Sequence, residues 1–380
     1  MMDETMLSLS GVRFSVRYAI VGSECEAQAA ARLVAIDQTV EAPDEIIPAA
    51  ICEHMLGRIE EFEKQGARYQ ATISFPVELL GTDCVALLLS IFGISSLRAG
   101  IQVIEMTIPE RVLAVWQGPR FGSPGLRERI GVFDRPLVCG VLKPVGLSAT
   151  ALANLAYQLA VGGVDLIKDD QALVDQAFCR FEERVTRCVE AIGRAARETG
   201  HRCLYAPHIS AGWDTMRRRA VCAQSAGAGA VLVCPGLCSF EAVRSLAVDP
   251  DLRLPILGHP ALLGTYSVTA TAGIAPSVLF GQLPRLAGAD VMIYPNYGVG
   301  FPIERDDCAG IRDACRRPWG DLKPMFPTAA GRMGMDRVEE MRSFYGQDVV
   351  FILGSSVQRH PQGIRAGCRA FMKAVGQKDR

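Results

Sequence analysis

The 380-residue chain lacks an excess of either charge: 40 Lys and Arg stand against 41 Asp and Glu, a formal net charge of −1. Nucleic-acid and anionic-membrane binders rely on surplus cations, so the balance argues against both classes. No apolar run approaches the roughly 20 residues that cross a bilayer. The start, Met1-Met2-Asp3-Glu4, has none of the basic-then-apolar layout of a secretory leader. Thirteen cysteines are present without any Cys-x-x-Cys pair; Cys234 and Cys238 come nearest. An odd count with no framework reads as reduced thiols in a cytoplasm, not a disulfide scaffold or a zinc site. Repeats and low-complexity segments are also missing. What is there is ordinary for a well-buried globular enzyme: 49% hydrophobic and 21% charged residues.

At about 100–200 residues per domain, the length suggests two or three. Phe14-Ser-Val-Arg-Tyr-Ala-Ile-Val21 alternates like a half-buried strand, and residues 26–35 form an alanine-rich helix. A second amphipathic helix is expected over 47–65, then strands at 71–75 and 102–106 with an apolar helix at 85–94 between them. This pattern predicts a small α+β, ferredoxin-like domain. Gln117-Gly-Pro-Arg-Phe-Gly-Ser-Pro-Gly125 reads as the linker, dividing the chain into 1–125 and 126–380. Beyond it, eight short buried runs each lead through a polar or glycine-rich turn to a helix. They lie at 137–142, 166–168, 203–206, 230–234, 255–257, 291–294, 324–326 and 349–353. Continuous apolar strands suit a parallel sheet covered on both faces. Eight strand–helix units over about 240 residues predict an α/β (β/α)8 TIM barrel; an open doubly wound sheet more usually stops at five or six strands.

A TIM barrel keeps its active site at the C-terminal ends of the strands. Those ends carry Lys143, Lys168-Asp-Asp-Gln171, His208, Cys234, His259, Asn296, Thr328 and Gly354-Ser-Ser356. On a strand Lys168 and Asp170 share one face and Asp169 takes the other. The pair reads either as an ion pair closing the barrel or as a cation site. In the second case the hard ligands Mg²⁺ prefers would include the lysine only as an anionic carbamate. His208 is a base or a strand-end hydrogen bonder, and Cys234 fits a buried inert thiol better than a nucleophile.

Five segments, in order, resemble the large subunit of RuBisCO. They are Gly118-Pro-Arg-Phe-Gly-Ser-Pro-Gly-Leu-Arg127, Arg135-Pro-Leu, Lys143-Pro-Val-Gly-Leu-Ser148, Gly162-Gly-Val-Asp-Leu-Ile-Lys-Asp-Asp170 and Gly354-Ser-Ser-Val-Gln-Arg-His-Pro-Gln-Gly363. The resemblance implies catalytic roles for Lys143, Lys168 and His259. It implies Mg²⁺ held by a carbamate on Lys168, by Asp170 and by Gln171, where a glutamine replaces the family's glutamate. It implies phosphate or substrate contacts at Gly354, Ser355, Ser356, Gly331, Asn296, His208 and Asp37.

The departures from that family are equally specific. Val145 stands where the carboxylase has a second lysine, and the loop Pro295-Asn-Tyr-Gly-Val-Gly-Phe-Pro302 has no lysine. Pro260 replaces an arginine beside His259, Ser90 replaces an asparagine, and Ala329 and Ala330 replace phosphate donors. The chain therefore looks like a RuBisCO-like, form IV protein that does not carboxylate ribulose bisphosphate. The implied chemistry passes through an enolate of a small phosphorylated keto-sugar or keto-acid. Its expected form is an oxo-isoapionate-phosphate decarboxylase or transcarboxylase. The alternatives are a diketo-methylthiopentyl-phosphate enolase, a methylthioribulose-phosphate isomerase, or a non-catalytic binding barrel. A homodimer, or a multiple of one, follows from the same resemblance.

Overall fold

The computed structural model describes residues 9–377. Its N-terminal unit begins with β1 (Arg13–Ile20), where alternating residues bury one face. Helix α1 (Glu24–Asp37) follows, opened by a capping box between Ser23 and Glu26. The unit continues through helix α2 (Ala49–Met55), β2 (Arg58–Gln65), β3 (Arg68–Pro76), helix α3 (Cys84–Phe92) and β4 (Ile101–Thr107). The antiparallel order β4-β1-β3-β2 is that of a ferredoxin-like sheet. Ala27, Ala31 and Val34 of α1 join Phe14, Val16 and Tyr18 of β1 in the core.

The single helix expected over 47–65 is instead α2 and β2, broken at Gly57. A Cβ on Gly57 would lie 2.8 Å from the Cα of Ala35, so the chain must turn close beneath α1. Beyond it, Arg58–Gln65 pairs with β3 as an edge strand and is exposed along almost all of its length. Its charged side chains suit an edge that must not recruit another strand. Their spacing mimicked an amphipathic helix; pairing with β3 decides otherwise.

The eight barrel strands are β5 (Leu137–Leu142), β6 (Leu166–Asp169), β7 (Leu204–Ala206), β8 (Val231–Val233), β9 (Ile256–Gly258), then, after a short β10 (Gly273–Ile274), β11 (Val291–Pro295), β12 (Phe326–Ala330) and β13 (Val350–Leu353). They form two parallel four-stranded sheets, β13-β5-β6-β7 and β8-β9-β11-β12. A bridge from His208 to Leu232 joins the sheets at one seam, and β12 lies beside β13 at the other. This is a TIM barrel. The seventh strand starts at Phe326 and takes in Thr328–Ala330, residues the sequence placed in the following turn.

After β9 the usual long helix is replaced by a 3-10 turn, β10, a π-turn and a short helix. Strand β10 adds parallel to β4, so the loop after the fifth barrel strand is stitched into the N-terminal sheet. Gln282 strengthens the joint: its side chain accepts from the Met106 amide at 3.0 Å and donates to the Met106 carbonyl at 2.8 Å. Among the described residues no helix is long and apolar enough to cross a membrane.

Candidate active site

The C-terminal ends of the barrel strands surround a cavity of about 440 Å³. Lys143 follows β5, Lys168 lies within β6 with Asp170 and Gln171 just beyond it, and His259 follows β9. Gly331 follows β12 and Gly354 follows β13; all of these residues line the cavity. The alternation of β6 produces the central arrangement. Lys168 and Asp170, 3% and 8% exposed, face the cavity, while Asp169 turns outward into the layer between barrel and helix.

Asp169 is fully buried and firmly tied. It meets Arg184 Nε at 3.1 Å, and accepts from the Tyr205 hydroxyl at 2.7 Å and the His208 amide at 2.9 Å. Burial pushes its carboxyl pKa upward, opposed by those donors. Arg184, on the helix Phe181–Thr199, is completely buried and also donates to the carbonyls of Val174 and Cys179. It clamps the end of β6 so that the residues on either side of Asp169 point inward. The sequence reading passed over Arg184; an arginine among the apolar positions of an amphipathic helix was the available signal.

Within the cavity the Lys168 ammonium donates to the Asp169 carbonyl at 3.1 Å, and burial lowers its pKa. Lys143, with a side chain 40% exposed, brings its ammonium to 4.0 Å from Asp170. The other Asp170 oxygen accepts from the Ala172 amide at 3.0 Å. The Lys143 carbonyl accepts from the Gln358 side chain at 3.0 Å, which links the loop after β5 to the one after β13. His259 Nδ1 accepts from the Ala261 amide at 3.2 Å, and burial pushes the ring's pKa down to about 2. It is a neutral imidazole at physiological pH. With Nδ1 accepting, the ring has Nε2 left as its donor.

Several residues expected at the substrate sit elsewhere. His208 is fully buried, bonded through Nε2 to Ser210 at 2.7 Å and beside Cys234 Sγ at 3.4 Å, with its pKa lowered to about 4 by burial. Asn296 is buried too: its oxygen accepts from Tyr345 at 3.2 Å and its nitrogen approaches Met341 sulfur at 3.1 Å. Both hold strand ends and neither lines the cavity. Asp37 pairs with Arg98 at 2.6 Å in the N-terminal unit, outside the lining of its own chain's cavity. Ser90 is turned inward, donating to the carbonyls of Leu79 and Ala86. Ser355 and Ser356 open a four-residue helix, Ser355–Gln358, and their side chains lie outside the described part. Burial raises the Cys234 pKa to about 11, as suits an inert thiol.

Behind Gln171 and His259 a second cavity of about 560 Å³ opens. Its walls are apolar, including Leu262, Val268, Phe280, Phe301 and Ile303. Arg332 and Arg359, which the sequence reading also missed, line the polar cavity beside Gly331 and Gly354. Arg359 stands inside the segment Gly354–Gly363 already singled out, and Arg332 directly follows Gly331.

A divalent cation is what the sequence resemblance implies here, and the donor set does not fit one. Positions 168, 170 and 171 offer an amine, one carboxylate and a neutral amide. Four cationic side chains, Lys143, Lys168, Arg332 and Arg359, face that single carboxylate across the cavity. Such a lining attracts an anion and repels a dication. Among the described residues no three His, Cys, Asp or Glu side chains gather closely enough to hold a metal.

Residues 123–377 match the family described as ribulose bisphosphate carboxylase large chain, catalytic domain. A ribulose bisphosphate carboxylase-like protein 1 of Rhodopseudomonas palustris is 37% identical, over 91% of this chain and 92% of its own. A 5-methylthioribulose-1-phosphate isomerase of Rhodospirillum rubrum is 33% identical over 96% of both chains. A 2,3-diketo-5-methylthiopentyl-1-phosphate enolase of Bacillus pumilus is 33% identical over 84% of this chain and 80% of its own. The crystal structure of a Rubisco-like protein from Rhodopseudomonas palustris superposes with a TM-score of 0.88 at 36% identity, covering 97% of this chain and 99% of that one.

Proposed function

The chain belongs to the RuBisCO large-chain family, among its RuBisCO-like members, and from that premise we propose that it is an enzyme that enolises a phosphorylated ketone with an apolar end. The observation that carries the proposal is the junction of two unlike cavities. A polar one contains Lys143, Lys168 and Asp170, and an apolar one shares the walls Gln171 and His259 with it. A methylthioribulose phosphate or a diketo-methylthiopentyl phosphate has a matching polarity: phosphate at one end, methylthio group at the other. Two relatives carry those names. The oxo-isoapionate-phosphate reading draws no support from these relatives, and a polar branched sugar leaves the apolar annex unused.

In this reading the substrate carbonyl lies between the two lysines. Lys168, desolvated and fixed against the Asp169 carbonyl, presents positive charge to the oxygen on which the enolate develops. Lys143, 40% exposed and balanced by Asp170, moves the proton at the adjacent carbon. His259 donates one further hydrogen bond as a neutral ring. Asp37 serves a neighbouring subunit in a homodimer; the exposed apolar residues Leu89, Leu97 and Leu237 support such an assembly.

Incubation with 5-methylthioribulose 1-phosphate and with 2,3-diketo-5-methylthiopentyl 1-phosphate, followed by proton and phosphorus NMR, tests the proposal. One of the two should be converted. Replacing its methylthio group by hydrogen should lower kcat/KM by roughly tenfold or more, the worth of a buried apolar group. Conversion of neither compound refutes the reading.

A further inference from the structure

Among the described residues only Gln171 and His259 line both the polar cavity and the apolar one. A substrate that occupies both cavities runs past this pair, so the pair selects what the middle of the substrate carries. His259 offers one donor, because its Nδ1 already accepts from the Ala261 amide at 3.2 Å. Gln171 offers an acceptor oxygen and a donor nitrogen side by side. It is exposed, and among the described residues its side chain bonds to no protein group.

The backbone beneath that free amide is fixed. The Asp170 carbonyl accepts from the Leu173 amide at 3.0 Å, closing a turn with Gln171 at its second position. The Asp170 carboxylate accepts from the Ala172 amide, also at 3.0 Å. Just upstream, Asp169 is tied to Arg184, Tyr205 and the His208 amide. Charge sets the pair apart as well. The other polar side chains on the polar cavity's wall are Lys143, Lys168, Asp170, Arg332 and Arg359, all ionisable groups in their charged forms, whereas Gln171 and the His259 ring are neutral. Charged walls suit the anionic and carbonyl parts of a substrate; neutral donor–acceptor groups suit hydroxyls.

We propose that Gln171 is a specificity residue rather than a metal ligand, binding, together with His259, the hydroxyls that a ketose phosphate carries between its carbonyl and its apolar end. This deepens the enolisation reading, on whose spanning substrate it rests, and it separates the two candidate compounds. A hydroxyl both donates and accepts, so two neighbouring hydroxyls can give to the Gln171 oxygen and take from the nitrogens of Gln171 and His259. A 5-methylthioribulose 1-phosphate has hydroxyls at its third and fourth carbons. The diketo compound has a carbonyl and a methylene there, neither of which can donate to the Gln171 oxygen. A carboxylate at position 171 would accept from hydroxyls without donating to them; the amide does both.

Two probes that cannot be enolised read this assignment without turnover: 5-methylthioribitol 1-phosphate, in which the carbonyl is reduced, and its 3,4-dideoxy counterpart. Calorimetric titrations in EDTA exclude any metal, so a glutamine that served only a metal would contribute nothing. Wild-type protein should bind the hydroxylated probe about tenfold or more tighter than the dideoxy one, the worth of one or two neutral hydrogen bonds. Gln171→Met keeps the length of the side chain and removes its polar atoms. It should weaken the hydroxylated probe by about tenfold while leaving the dideoxy probe and the thermal midpoint unchanged. Equal affinity of wild type for the two probes, or binding of neither, overturns the proposal. So does a variant that loses nothing, or that loses both probes alike. A protein that discriminates through Gln171 yet enolises neither methylthio compound keeps the hydroxyl site and loses only the proposed reaction. One that enolises a methylthio compound without discriminating keeps the reaction and loses the site.

Discussion

The chemistry of this site turns on single residues in a run of four, Lys168-Asp169-Asp170-Gln171. Strand alternation sends Lys168 and Asp170 to the cavity and Asp169 to Arg184, a division legible in the sequence because the side-chain period of a strand is two. The balance of charge was not legible there. It depends on Arg332 and Arg359, which come from remote loops and share the cavity only once the barrel closes. Gln171 supplies a dipole where the family's resemblance leads one to expect an anion, so the site as built should hold Mg²⁺ poorly. Gln171→Glu in bicarbonate buffer, where Lys168 can become a carbamate, changes the lining toward neutrality and adds a hard anionic ligand. Calorimetry should detect Mg²⁺ binding to that variant and little or none to wild type. Equal, tight binding to both would show that the present charges do not govern the site.

At the scale of elements, the end of β6 is held from outside by one helix. Arg184 reaches from Phe181–Thr199 to Asp169, and both partners are fully buried. Removing one member of such a pair leaves an uncompensated buried charge, at a cost of about 3–5 kcal/mol. Arg184→Met should therefore lower unfolding stability by that order in urea denaturation. Asp169→Asn in the same background should recover part of it. A single variant as stable as wild type would mean that the clamp does not hold β6. The strands themselves were mostly readable, because fully buried parallel strands are short unbroken apolar runs. Two elements misled. Strand β2 is charged at most of its exposed positions and mimics a helix face until its pairing with β3 is known. The segment after β9 breaks the strand–helix rhythm because β10 pairs with β4, a contact across more than 160 residues of sequence that no local pattern announces. Gly273 is needed there: its φ is +95°, and a Cβ would come within 2.1 Å of the Tyr266 carbonyl oxygen.

Across the whole molecule, a ferredoxin-like sheet and a barrel are stitched together by β10 and by Gln282. That joint braces the loop carrying Leu262 and Val268, so the apolar annex is anchored to the N-terminal sheet and meets the polar cavity of the barrel at Gln171 and His259. Order of motifs made the family legible from sequence; the annex was not, since its walls come from loops after β9 and β11 that converge only in the fold. The central claim is that Lys143 moves a proton at the carbon beside a substrate carbonyl without a metal. Solvent exchange reads that step directly. Wild-type protein in D₂O with EDTA should exchange the proton of 5-methylthioribulose 1-phosphate, or of its diketo counterpart, next to the carbonyl. Lys143→Met should slow exchange by about 10²–10⁴-fold, the usual worth of a general acid–base group, while leaving phosphate affinity intact. Exchange by Lys143→Met at close to the wild-type rate, or exchange by wild type only after Mg²⁺ is supplied, would contradict the account.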